Sequence, residues 1–174
     1  MSRAFPLAFV LIVMASSAPG KHGVQTTPTA AEELVRLQRP DATQYASTLY
    51  DDPRRWAFIS KKIAAGEKGW MQVAKLLLLK ADGAFAEEIH SDLATALLAR
   101  PANVLSLMQT NRSVTSTVCS APFPSPGKRW LIRYKSRAIR SVESVRKPSL
   151  SRFRDHCLRA LRSVDLSQPA ELYE

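Results

Sequence analysis

Glycine is scarce in this chain, with 6 among 174 residues. An all-β protein rich in tight turns needs more of it. No run of alternating apolar and polar residues is convincing enough for a sheet. Familiar catalytic signatures are missing as well: HExxH, the phosphate-cradling GxxxxGK, GxSxG and GxGxxG are all absent. No apolar run reaches the roughly 20 residues that a membrane-spanning helix requires. The longest candidate after the N-terminal segment, Val73 to Leu79, is interrupted by Lys75 and followed by Lys80. Acidic residues are few, 15 against 25 Lys and Arg, which leaves a formal net charge of +10. Hydrophobic residues still make up 45%, enough to fill a packed core and to exclude wholesale disorder.

Residues 1–20 have the layout of a cleavable secretory signal. Arg3 supplies a positive start, Ala4 to Ala15 is apolar except for Pro6, and Ser16, Ser17 and Ala18 are small. Cleavage is expected after Ser17, Ala18 or Gly20, and the competing reading is an uncleaved N-terminal helix. The mature protein is therefore expected to be exported, periplasmic or secreted, with no membrane-spanning segment. In a eukaryotic secretory pathway the sequon Asn111-Arg112-Ser113 would accept glycan.

Only two cysteines are present, Cys119 and Cys157. In an oxidising compartment two thiols are best read as one disulfide, here closing a loop of roughly 40 residues that contributes about 4 kcal/mol on the chain-entropy model. The spacing is unlike CxxC, which argues against a thioredoxin-type redox role. His156 beside Cys157 makes no dyad, because neighbours on a helix point about 100° apart.

The remaining pattern is helical. A polar arm and a short helix at 30–38 are expected over 21–50, then a single helical domain over 51–174. Asp51-Asp52-Pro53 is a helix start, with Trp56, Ile59 and Ile63 on one face and Gly66 as the stop. Trp70, Val73, Ala74, Leu77 and Leu78 follow helical spacing, and the run Leu76 to Leu79 predicts a helix buried on most sides. Asp82-Gly83 breaks that helix. Phe85, Ile89, Leu93, Ala96 and Leu97 mark the next, and Val104, Leu107 and Met108 a shorter one after Pro101. Gln109 to Lys128 is a long loop rich in Pro and Ser. Two helices follow it. The first carries an inward stripe of Leu131, Tyr134, Ala138, Val142 and Val145 and ends at Lys147-Pro148. The second carries Leu150, Phe153, Cys157, Leu161 and Val164, with Ser149 as N-cap. The expected fold is all-α, a small stack of antiparallel helix pairs, either helical-repeat-like or an irregular bundle.

Chemistry is sparse. Glu87 and His90 form Glu-x-x-His, but a di-iron centre needs a second copy and two further Glu. Asp51-Asp52 at a helix start is explained by the helix dipole. No catalytic residue, metal site or cofactor is assigned, and the balance is against an enzyme.

Charge is more informative. Between Lys128 and Arg162 stand 12 basic and two acidic residues, whereas Lys21 to Arg100 is nearly balanced. Arg129, Arg133, Arg137 and Arg140 fall within about an 80° arc opposite the apolar stripe. The plain reading is a solvated face that aids solubility. The sharper one is an anion- or partner-binding ridge, since Arg favours the planar forks of carboxylate and phosphate. Nucleic acid is disfavoured for an exported chain without interleaved aromatics, and an acidic protein partner is preferred. An inhibitor or immunity protein would fit. The alternatives are an envelope-associated binder of anionic lipid or polymer, and a hydrolase with an unrecognised site.

Overall fold

A computed structural model describes residues 27–109, 117–123 and 127–165. The expected secretory signal, the start of the polar arm, Asn111 and the ends of the chain lie outside the described residues, as does part of the long loop. Among the described residues the chain forms eight α-helices and no strand. They are α1 (Ala30–Leu37), α2 (Ala42–Asp51), α3 (Pro53–Ala64), α4 (Lys68–Leu78), α5 (Gly83–Ala99), α6 (Pro101–Met108), α7 (Lys128–Glu143) and α8 (Ser151–Ser163). A 3-10 turn, Pro148–Leu150, leads into α8.

Local chemistry sets several boundaries. Thr29 and Glu32 form a capping box at α1, each side chain accepting from the other's backbone N–H. Asp52 caps α3, its carboxylate accepting from the N–H groups of Arg54 and Arg55 at 3.1 Å each, with Pro53 in the first turn. Gly66 takes φ +70° just past the end of α3, a conformation that strains a residue with a β-carbon.

The core is one continuous cluster. Ile59 and Ile63 of α3, Leu77 of α4, Ile89, Leu93 and Leu97 of α5, and Leu105 and Met108 of α6 are all fully buried. Each such side chain contributes about 1.5–3 kcal/mol relative to exposure. α3 and α5 lie side by side and run in the same direction: Trp56 donates to Glu88 near their starts, and Gly66 meets Ala96 and Arg100 at their ends. Trp56 also packs edge-on against Phe85, ring centroids 4.9 Å apart, and Tyr50 stacks on Phe85 at 4.6 Å.

Four local expectations are revised. The packed body takes in α1 and α2, although the domain was expected to start at 51: Leu37, Ala42, Ala46 and Leu49 are buried. Glu33 of α1, wholly buried, accepts from the Tyr45 hydroxyl of α2 at 2.6 Å and from Arg55 of α3 at 2.7 Å, and Arg55 also donates to Tyr45. The leucine run is buried except at its end: Leu77 is fully buried and Leu76 and Leu78 pack half-buried against the core, but Leu79 caps the end of α4 and faces solvent. α7 stops at Glu143 rather than at Lys147, and Val145 is buried from the following turn. Ser149 is not the N-cap of α8; it lies inside the 3-10 turn, and Leu150 occupies the cap position.

Candidate partner-binding face on α7

Two neighbours fix which side of α7 faces out. Toward α5, the Tyr134 hydroxyl donates to Ala94 O at 2.9 Å and Ser141 Oγ to Leu98 O at 3.2 Å. Toward α8, Lys135 Nζ donates to the carbonyls of Arg162 and Val164 at 3.0 and 2.8 Å, satisfying the exposed end of that helix. Arg154 donates to Val145 O at the opposite end, so α7 and α8 form an antiparallel hairpin. Tyr134, Ala138 and Val142 are buried by this packing. Burial alone pushes the Tyr134 phenol well above its ordinary range, so it stays a neutral donor.

The opposite side carries the arginines. Arg129, Arg133, Arg137 and Arg140 are all exposed, spread over about 16 Å of helix at 1.5 Å per residue. The two carboxylates of this hairpin are engaged elsewhere, Glu143 with Arg162 at 2.7 Å and Asp155 with Arg154 at 2.9 Å. Among the described residues, no carboxylate pairs with any of the four. Among the described residues the ridge therefore presents uncompensated positive charge.

Trp130 and Ile132 flank the ridge, each 41% exposed. The Trp130 ring stacks on Tyr134 at 5.4 Å with 5° between planes, and Phe123 packs edge-on against both rings at 4.6 and 4.7 Å. Phe123 is held there by the tethered loop. Ser91 Oγ donates to Pro122 O at 2.5 Å, and the Cys119–Cys157 disulfide joins this segment to α8 with 5.2 Å between α-carbons. Both cysteines are fully buried. The indole is thus a braced aromatic surface beside four cations. On the helical wheel Trp130 sits between the ridge and the apolar stripe, so periodicity alone assigns it to neither face. Its place next to Arg129 was the signal available.

Other candidate groups do not converge. His90 is half-buried, its pKa pulled down chiefly by burial, and Glu87 is exposed beside it. Asp51 ends α2 while Asp52 caps α3, so the adjacent acids serve different helices. Among the described residues, no three His, Cys, Asp or Glu are placed to share a metal ion. No family model matches the chain, and neither a curated protein nor a solved structure matches it.

Proposed function

We propose that this chain is an exported protein that binds an acidic protein partner through the outer face of α7. The observation that carries the reading is the row Arg129, Arg133, Arg137 and Arg140, exposed and, among the described residues, without carboxylate partners, flanked by the braced indole of Trp130. Trp and Arg are the residue types that dominate interface energetics. Arginine charge steers encounter with an acidic surface, and the apolar flank supplies the contact that persists after docking. The disulfide and the lack of a membrane-capable helix among the described residues fit export. An inhibitor or immunity-type role against another exported protein is the form of binding we favour.

The test is affinity capture from the native extracytoplasmic fraction, followed by kinetics with the purified partner. The wild-type protein should retain one acidic protein, and the Arg129→Gln, Arg133→Gln, Arg137→Gln, Arg140→Gln variant should retain little of it. Association should slow by about tenfold in low salt, and the difference should shrink in high salt as charges are screened. A basic partner, or equal capture by the variant, would refute the reading. N-terminal sequencing of the mature protein should begin near residues 18–21; a retained Met1 would refute export by cleavage.

Exposed Trp130 and Ile132 beside the basic ridge also favour a second reading, attachment to an anionic membrane surface. Sedimentation with phosphatidylglycerol vesicles distinguishes it. Salt-sensitive vesicle binding without a protein partner would replace the first reading with this one.

A further inference from the structure

A cleft of about 670 Å³ opens at the far end of α7 from Trp130, where three turns converge. The start of α4 contributes Lys68, the α5–α6 junction Arg100, and the α7–α8 turn Arg146 and Lys147. Its volume lies within the roughly 300–1,000 Å³ of small-molecule sites. All four basic side chains are exposed, and among the described residues none pairs with a carboxylate. Glu67, the one acidic residue in the lining among the described residues, is engaged by Lys62 at 2.8 Å.

The floor of this cleft is built with little slack. A β-carbon on Gly66 would come within 2.6 Å of the Arg100 β-carbon, so the bare glycine is what lets the Arg100 stem approach. Asn103 donates to Gly66 O at 2.8 Å and ties the two turns together. Helix dipoles do not decide the ligand: α4 and α6 begin at the cleft, but α3, α5 and α7 end there. The four side-chain charges do decide it, and they select an anion.

We propose that this cleft binds a soluble polyanion carrying adjacent phosphate groups. Arginine forks match phosphate oxygens bidentately, and lysines bind phosphate as point charges. Among the described residues the lining includes no aromatic side chain to stack on a base or sugar ring, and recognition falls on the phosphates themselves. A recess fits a free polyanion better than a flat array of lipid headgroups. The site is independent of the partner face proposed above.

The experiment is calorimetric titration of the purified protein with sodium tripolyphosphate in low salt, with citrate and chloride at matched ionic strength. Saturable binding of one tripolyphosphate per chain is expected. Arg100→Gln combined with Arg146→Gln should weaken it at least about tenfold, as expected for losing charge-assisted hydrogen bonds. The pair Arg133→Gln and Arg137→Gln on the α7 ridge should leave it within about twofold, which separates a site from a diffuse field. Circular dichroism checks that each variant folds. If the Arg100 variant does not, Lys68→Gln with Lys147→Gln, both at exposed positions, takes its place with the same expected loss. Four results would overturn the proposal: no saturable heat, an equal loss in the ridge variant, equally tight citrate binding, or binding to phosphatidylglycerol vesicles without binding to tripolyphosphate.

Discussion

Gly66 and Arg100 stand in contact across the ends of α3 and α5, with no room between them for a second β-carbon. The backbone of Gly66 is also left-handed, at φ +70°. Gly66→Ala therefore incurs two costs, roughly 1–2 kcal/mol for the left-handed conformation and a further clash with the Arg100 stem. We expect a loss of about 2–3 kcal/mol, read as a lower urea midpoint. Gly127→Ala, where a β-carbon meets nothing within 4 Å, is the control and should change stability little.

Glu33 is wholly buried and holds Tyr45 and Arg55. Removing one partner of a buried pair costs about 3–5 kcal/mol, and less here because the Arg55 side chain is 30% exposed. Glu33→Ala should destabilise the fold by about 2 kcal/mol and loosen α1 and α2 first, which amide exchange would reveal as faster exchange in both helices.

Alkali should act through the same group. Burial pushes the Tyr45 hydroxyl up to about 12, and the hydrogen bond to Glu33 and its charge add to the shift. The folded protein keeps this proton where the unfolded chain, near 10, has released it. The stability it contributes is complete below about pH 10 and is lost as pH rises toward 12. Tyr45→Phe should show a weaker decline over that interval in a urea series.

Asp92 behaves in the same direction at lower pH. Burial raises its pKa to about 7; the charge of Glu88 adds to this, and a hydrogen bond with Ser60 opposes it. One carboxylate oxygen is buried without a partner. The unfolded chain releases this proton near pH 4, so the contribution is complete below about pH 4 and is lost as pH rises to 7. His90, with its pKa lowered by burial, acts oppositely as pH falls below about 6.5. That effect is common to both proteins. Asp92→Asn should exceed the parent in stability at pH 8 and converge with it near pH 4. Parallel curves across that range would mean a solvated Asp92.

Replacing Cys157 by Ser removes the bridge to Cys119 and should cost about 2–5 kcal/mol. Thiol titration of the unreduced, denatured parent should find almost none. The bridge also anchors the segment that carries Phe123 against Trp130, so the variant should weaken partner binding beyond its loss of stability.

The sequence by itself determined the all-α class, the start of α3 at Asp52-Pro53, the inward stripes of α7 and α8, and the outward row of arginines. Periodicity settles these because a helix turns a fixed angle per residue, so the apolar residues choose the buried side. The pairing of Cys119 with Cys157 was legible because only two cysteines exist. α2 has a weak local signal because two of its inward residues, Ala42 and Ala46, are small and, with Leu49, stand among Thr, Ser and Tyr, none of those three strong helix formers. The buried role of Glu33 had no local signal either, since its partners come from two other helices. Tertiary packing alone brought α3 beside α5 in the same direction, braced Trp130 between Tyr134 and Phe123, and gathered Lys68, Arg100, Arg146 and Lys147 around one cleft. Those arrangements depend on which helix faces fit together, and side-chain shape decides that across stretches of chain that no local repeat connects.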